Sequence, residues 1–468
     1  MTDNLLKAYH SLPATLRSAA ASLRGLYLRS WRYGSETDRL VEEALQRETW
    51  IPHQWKGWRE ERLACILRRA ATQVPYYREQ WAVRRRKGDK ASPEYLENWP
   101  ILEKESVREN PEAFVADDCD VRRMFREQTS GTTGKPMILW WSLNTVREWY
   151  ALVEARWRKW NGVSRHDSWL MLGGQLIIPA SQSRPPFWVW NRGLNQVYMS
   201  TYHLSPRFSK YYLDAIDRYR PAYMMGYPSA MATLAQMVLE SGRDDFRLAV
   251  AVSNAEPLYD HQRRAIAEAF KCPVRETYGM GEIVVGASEC LAERLHLWPE
   301  VGCVEVMEND QVLPDGSMGE LVCTGLLNTD MPLIRYKVGD RAKLLGESSN
   351  CSCGRLLPEI SRIEGRSNDV LIAPDGRRVY WVNPVFYGLA VREAQIIQEE
   401  LDRLRVRYVP VTGWTDETRR LVIDRIRARM GLVEVIMEKV DAIPRGPNGK
   451  FRAVISELSR EVRNTSSV

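Results

Sequence analysis

Between Asp167 and Phe270 the runs SWLMLGG, PAYMMGY and RLAVAVS alternate with the longer stretches PRFSKYYLDAIDRYR, SAMATLAQMVLESG and DHQRRAIAEAF. The short runs are apolar at nearly every position, so both of their faces must be covered. Strands of that kind, separated by helical stretches, join by crossovers into a mainly parallel sheet. The chain is therefore expected to be α/β, with layered sheets. From Cys303 to Leu345 the pattern changes to short strands and tight turns, as in NDQVLPDGSMGELVCTG, which predicts a β-rich subdomain. Beyond RIEGRSNDVLIAPDGRR a smaller α+β unit is expected, with a helix near Asp416 to Met430, a strand in LVEVIMEKV and a terminal loop. A boundary near Gly365 to Asn368 divides residues 1–365 from residues 366–468. Helical stripes also appear in Leu63, Ile66, Leu67 and Ala70, and in Val146, Trp149, Tyr150, Val153 and Trp157; the tryptophan stripe reads as core.

The stretch EQTSGTTGKPMILWW, Glu127 to Trp141, concentrates hydroxyls, glycines and a lysine before an apolar run. It is not a P-loop: two residues, not four, separate Gly131 from Gly134, and Pro136 follows Lys135. That proline also prevents a helix from starting directly after the lysine, and Met137 to Trp141 reads as a buried strand. A turn of this composition can surround phosphate oxygens with the hydroxyls of Thr129, Ser130, Thr132 and Thr133, with backbone N–H groups and with Lys135. A plain polar hairpin turn fits the same residues.

A length of 468 residues suggests two to four structural units, and 44% apolar with 27% charged residues is ordinary globular composition. The net charge of +6 is dispersed, and no basic stripe suggests a nucleic-acid partner. Arg17 to Gly34 has arginines beside Leu23, Leu26, Tyr27 and Trp31; a packed N-terminal helix is expected there, with a helix resting on a membrane surface as the other reading. No apolar run is long enough for a transmembrane segment, and the N-terminus lacks the apolar stretch of a signal peptide, so the expected address is the cytoplasm. Eight cysteines are too few for a disulfide scaffold in a chain of this length.

Four more stretches add chemistry. ETYGMGE, Glu276 to Glu282, sets an aromatic ring and a carboxylate on a turn after a strand: Tyr278 can stack on a base, and Glu282 can offer oxygen to Mg²⁺. PLIRYKVGDRAKL places Asp340 in a turn between strands, where it can accept from ribose hydroxyls. RIEGRSNDVLI offers Arg366 to phosphate or ribose, and IPRGPNGKFRAVI carries Lys450 on a Pro/Gly-framed loop. Taken alone, each also fits an ordinary role: Tyr278 a core ring, Asp340 a turn former, Lys450 a solvated charge. As a set, in this order, they resemble the acyl-adenylate-forming ligases, over roughly residues 60–456. PYYRE near Tyr76, SNAEPL and the cysteine-rich insertion are most similar to the phenylacetate-CoA ligase branch, including its CapK-like members.

That resemblance implies a large nucleotide- and acyl-binding domain with a small mobile lid domain. It implies two steps, attack of a carboxylate on the α-phosphate of ATP to give acyl-AMP and pyrophosphate, then transfer of the acyl group to an acceptor such as coenzyme A. By position, Thr129, Ser130, Gly131, Thr132, Thr133, Gly134 and Lys135 would handle phosphate. Ser253, Asn254, Ala255, Glu256, Pro257, Tyr278 and Gly279 would hold the adenine, Asp340 and Arg366 the ribose and phosphate, and Glu282 the Mg²⁺. Lys450 would stabilise charge developing between carboxylate and α-phosphate. Asn368 would be the hinge, and Gly226, Tyr227 and Pro228 would line the acyl pocket beside Leu172 to Pro179. Gly281 departs from the family's usual Thr, and Asn368 from its usual Asp or Lys.

Cys290 and His296 in SECLAERLHLWPE, with Cys351 and Cys353 in NCSCGR, offer three thiolates and an imidazole for a closed structural Zn²⁺ site; free thiols are the other reading. A similar zinc site belongs to some phenylacetate-CoA ligase relatives, and it would clip the β-rich subdomain to the main domain. Cys303 and Cys323 read as core. Three functions remain open at this level: a carboxylate-CoA ligase, an adenylating ligase with a sugar or amino-acid acceptor in polysaccharide biosynthesis, and a non-catalytic nucleotide-binding protein. A kinase is excluded by the form of the phosphate loop.

Overall fold

A computed structural model of the chain describes residues 3–129, 137–346, 351–364, 371–375, 378–379, 383–386, 389–446 and 451–459. The chain opens with helices α1 (Asp3–Ser11), α2 (Ala14–Arg32), α3 (Thr37–Arg47), α4 (Pro52–Gln73), α5 (Pro75–Arg86) and α6 (Lys104–Glu109). Strands β1 (Phe125–Gln128) and β2 (Ile138–Trp141) pair antiparallel and lead into α7 (Leu143–Val153). Ser142 caps that helix by accepting from the Thr145 N–H. Of the predicted stripe, Val146, Trp149 and Val153 are buried, Tyr150 is half-buried, and Trp157 is half-buried beyond the end of the helix.

The predicted alternation builds the main sheet. Its strands are β3 (Trp169–Gly173), β4 (Trp188–Asn191), β5 (Gln196–Ser200), β6 (Tyr223–Gly226), β7 (Ala251–Ser253), β8 (Val274–Gly279), β9 (Gly286–Glu289) and β10 (Leu295–Leu297), in the order β10-β9-β8-β7-β6-β3-β5-β4. The pairs from β5 through β3, β6 and β7 to β8 are parallel, and the edges are antiparallel. Helices α8 (Ser209–Tyr219), α9 (Pro228–Glu240) and α10 (Asp260–Phe270) make the crossovers. Alternate residues explain why the strands are apolar throughout. Leu170, Leu172, Met224 and Ala251 join one core cluster with these helices, while Trp169, Tyr223, Met225 and Val252 join another on the opposite face.

The β-rich part is an antiparallel sheet of β11 (Gly302–Glu308), β12 (Gln311–Val312), β13 (Gly319–Gly325) and β14 (Tyr336–Ala342), ordered β12-β11-β13-β14. Cys323 is buried within it and Cys303 is half-buried against the same core. Asp340, expected in a turn, lies instead within β14. The KVGD run looks like a turn because of its glycine. Here Gly339 takes φ +84°, and the β13–β14 register shifts between Glu320 and Val322, so the strand bulges and continues. Tyr278 likewise stands on β8 itself, and the turn comes after it.

The C-terminal elements are β15 (Leu371–Ile372), β16 (Arg378–Val379), β17 (Val391–Glu400), β18 (Arg403–Pro410), α11 (Asp416–Met430), β19 (Glu434–Lys439) and β20 (Val454–Ser456). Strands β19-β18-β17-β20 form one sheet, with Val422, Ile426 and Met430 of α11 packed on Ile396, Leu404 and Val406. The expected terminal loop is thus corrected: it contains β20, a three-residue strand parallel to β17 and too short for a periodic signal. The expected boundary at Gly365 to Asn368 falls at residues 365–370, outside the described residues.

Candidate active site and metal centre

The phosphate-loop candidate springs from the β1–β2 hairpin. Thr129 donates its N–H to the Met137 carbonyl at 3.0 Å, and its Oγ1 accepts from the Met137 N–H at 3.4 Å. These bonds close the neck of the loop. Ser130, Gly131, Thr132, Thr133, Gly134 and Lys135 lie outside the described residues. The neck abuts the turn after β8: a Cβ added at Gly281 would stand 3.2 Å from Thr129 Cγ2, tighter than an ordinary contact. A larger residue at 281 would need the Thr129 methyl to give by a few tenths of an ångström.

Tyr278 and Asp340, 62 residues apart, meet across the two sheets, the tyrosine hydroxyl donating to Asp340 Oδ2 at 2.8 Å. Asp340 is buried and Tyr278 half-buried. Glu282 is buried too, and its Oε1 accepts from Lys104 Nζ at 2.8 Å and from the Tyr336 hydroxyl at 3.0 Å. Neither partner is suggested by sequence, because Lys104 opens α6, 178 residues before the carboxylate it meets.

The SNAEPL segment follows β7. Ser253 is fully buried, and its hydroxyl donates to the Arg275 carbonyl at 3.3 Å, so that side chain faces the sheet. Asn254 donates its N–H to the Gly226 carbonyl at 3.0 Å, and Tyr227 its N–H to the Leu172 carbonyl at 2.9 Å. The structure therefore brings together the segments expected to line the acyl pocket, with Pro228 opening α9. Ala255 is exposed and holds φ +64°, a conformation rare for a residue with a side chain. Glu256 accepts at Oε2 from the Ser229 N–H at 3.3 Å and at Oε1 from the Phe451 N–H at 2.6 Å. Burial pushes its pKa up, against those two donors. Phe451 follows Lys450, which lies outside the described residues, as do Arg366 and Asn368. Arg445 pairs with Glu393 and sits 4.8 Å from the Phe451 ring centroid.

Sequence reasoning passed over Glu276. Burial, reinforced by the neighbouring charge of Glu289, pushes its pKa up to about 7, against the pull of Arg362 and Arg263. It lines a cavity of about 160 Å³ with Glu289, Arg294, Glu359 and Arg362. The sign of this environment depends on which carboxylates face each other, and that is a tertiary fact.

The four metal-ligand candidates converge. Cys290 directly follows β9 and His296 lies on the edge strand β10, Cys351 and Cys353 come from the loop beyond β14, and all four ligand atoms lie within 4.8 Å of one another. Cys290 Sγ is 3.7 Å from Cys351 Sγ, and Cys353 Sγ is 3.5 Å from His296 Nε2. Tetrahedral Zn²⁺ with bonds of about 2.3 Å to sulfur and 2.0–2.1 Å to nitrogen has edges of roughly 3.8 Å and 3.5 Å. The donor set fits the ion. His296 Nδ1 lies 3.1 Å from the Leu357 carbonyl, which orients the ring with Nε2 toward the thiols. Burial lowers the His296 pKa, favouring the neutral imidazole that a metal requires. Beside this centre Glu48 accepts from Trp160 Nε1 at 2.8 Å and Arg355 Nε at 2.8 Å. Arg156, fully buried, grips Glu300 at 2.8 and 2.9 Å.

Comparison with known proteins identifies the family. Residues 58–329 match the family model for AMP-binding enzymes, and residues 371–457 that for the CapK C-terminal domain. Protein CapK of Staphylococcus aureus is 28% identical over 363 residues, covering 75% of this chain and 78% of its own. Phenylacetate-coenzyme A ligase of Pseudomonas putida is 28% identical over 323 residues, covering 67% and 70%. Among solved structures, 2-hydroxyisobutyryl-CoA ligase in its postadenylation state superposes with a TM-score of 0.67 at 20% identity, covering 90% of this chain and 93% of its own, a likeness of fold. The chain belongs to the AMP-binding enzyme family, as an AMP-forming, CoA-ligase-like member of the branch that includes CapK and the phenylacetate-CoA ligases.

Proposed function

We propose that the protein activates a small carboxylic acid with ATP, releasing pyrophosphate, and passes the acyl group from acyl-AMP to coenzyme A. The observation that carries this reading is the 2.6 Å bond from the Phe451 N–H to Glu256, which ties the residue after Lys450 to the SNAEPL segment. A lysine delivered there can meet the charge that builds as a carboxylate oxygen bonds to the α-phosphorus and the bond to pyrophosphate breaks. In this scheme Thr129 to Lys135 grip the outer phosphates, Asp340 accepts from the ribose, and Tyr278 lies against the adenine. Glu282 is a hard oxygen donor suited to Mg²⁺, an ion that would neutralise phosphate charge. Lys104, already on Glu282, adds a second cation at the same place. The names of the phenylacetate relatives favour coenzyme A as acceptor.

The test is carboxylate-dependent exchange of labelled pyrophosphate into ATP across a panel of acids. Lys450→Ala is expected to lower exchange by about 10²–10³, the penalty for losing one partner of transition-state charge. Exchange that persists undiminished removes the lysine from the mechanism, and ADP in place of AMP removes the reaction class. Comparing thioester with hydroxamate formation then separates coenzyme A from an amine acceptor.

A further inference from the structure

Four arginines from three parts of the chain line one cleft. Arg29 and Arg32 come from the last turn of α2, Arg158 from the turn that continues α7, and Arg165 from the loop before β3. Among the described residues that line it none is acidic. Two of the four cations are matched. Arg158, buried, donates to Glu154 Oε2 at 3.1 Å and to the Tyr223 hydroxyl at 2.7 Å. Arg165 donates to Asp38 at 2.8 Å, and its Nη1 lies 3.7 Å from the same Glu154. The other two are not. Arg32 lies over the Tyr150 ring, 4.3 Å from its centroid, and Arg29 is exposed; among the described residues neither makes an ion pair. Arg32 does act through space on Glu127, but Arg24 shares that carboxylate, so the surplus of two positive charges stands. The carboxyl end of the α2 dipole offsets only about half a charge of it.

We propose that this cleft binds the phosphate group of a small molecule, held between Arg29 and Arg32 with Arg158 and Arg165 behind them. A phosphate dianion matches the surplus, and its oxygens suit the planar guanidinium fork; a single carboxylate would leave one cation unmet. About 20 Å³ of the cleft is enclosed, room for one oxygen-sized group. The phosphate therefore enters by one edge, and its remaining oxygens, or an organic group carried on one of them, stay in the open mouth beside Arg29. The cleft also lies away from the nucleotide segments. Trp169, in its wall, begins β3, and Asn195, also in its wall, precedes β5, whereas Tyr227 follows β6, Asn254 follows β7 and Gly279 ends β8. Because β5, β3, β6, β7 and β8 run parallel, these are opposite ends of one sheet.

Equilibrium dialysis of the full chain against labelled inorganic phosphate, with chloride holding the ionic strength constant, tests this whether or not the chain forms acyl-AMP. Saturable binding is expected with a Kd on the order of 1 mM or tighter. It should survive Lys135→Ala within about twofold and weaken about tenfold or more in Arg29→Gln with Arg32→Gln, the loss of two charge-assisted contacts. Arg29→Gln alone, at an exposed position, should weaken it severalfold at unchanged melting temperature. Repeating the titration with glycerol 3-phosphate names the source: tighter binding of the ester points to phosphate carried on an organic molecule, tighter binding of the inorganic ion to phosphate itself. No saturable binding, or arginine variants that bind as wild type does, overturns the proposal. Loss of all binding in Lys135→Ala also overturns it, by assigning the phosphate to the loop between β1 and β2.

Discussion

Glu276 and Glu289 line one cavity, and Glu276 keeps its proton up to about pH 7 because it is buried beside that second carboxylate. Its folded pKa is raised above the ordinary glutamate value of 4.5, so its contribution to stability is fully present below that value and is lost as pH rises through 7. A shift of this size corresponds to about 3 kcal/mol at most. Glu276→Gln, which keeps the neutral form at every pH, should therefore match wild type in urea denaturation at and below the ordinary glutamate value and exceed it above pH 7, by up to that amount. A gap of constant size at both ends of the range would assign the effect to packing instead. Neither the charge pair nor the Lys104–Glu282 contact is legible in sequence, since each joins residues on different elements. Gly281 is a different case. The sequence shows the departure from the usual Thr, while its neighbour, the Thr129 methyl, appears only in three dimensions.

At the scale of elements, the cysteine-histidine centre was the most readable site, because thiols and an imidazole are rare ligands and their types already limit the chemistry. What sequence could not supply was closure: 61 residues separate Cys290 from Cys351, yet their sulfurs lie 3.7 Å apart. The centre ties the edge of the main sheet to the loop beyond the β-rich sheet, and Arg355 carries the loop on to Glu48 at the end of α3. Purified protein is expected to contain one zinc per chain by elemental analysis. Cys351→Ser with Cys353→Ser should lose it and lower the melting temperature by about 5 °C or more, because metal affinity is also folding free energy. Metal-free wild type with an unchanged melting curve would leave the four side chains as buried thiols and a core histidine.

For the molecule as a whole, the decisive contact is the one between Phe451 and Glu256, 195 residues apart, through which the C-terminal elements reach the main domain. A part-buried hydrogen bond to a carboxylate, when that group is charged, is worth about 1.5–3 kcal/mol. Glu256→Ala should thus slow pyrophosphate exchange by about tenfold to a hundredfold while leaving acyl transfer from supplied acyl-AMP within about twofold; Glu256→Gln, which keeps an acceptor oxygen, should retain most exchange. Equal losses in both half-reactions would make Glu256 a general support of the fold. The sequence by itself determined the α/β class, the crossover strands, the β-rich insertion and the chemical kinds of group available, because apolar periodicity and residue type are local properties. It misjudged Asp340 and the terminal loop, where a bulge and a three-residue strand carry no periodicity. Only the tertiary structure decided which groups face one another: Tyr278 with Asp340, Lys104 with Glu282, four ligands around one point, and four arginines around one cleft. Such pairings depend on how separate elements pack, and no stretch of chain short enough to show a pattern contains both partners.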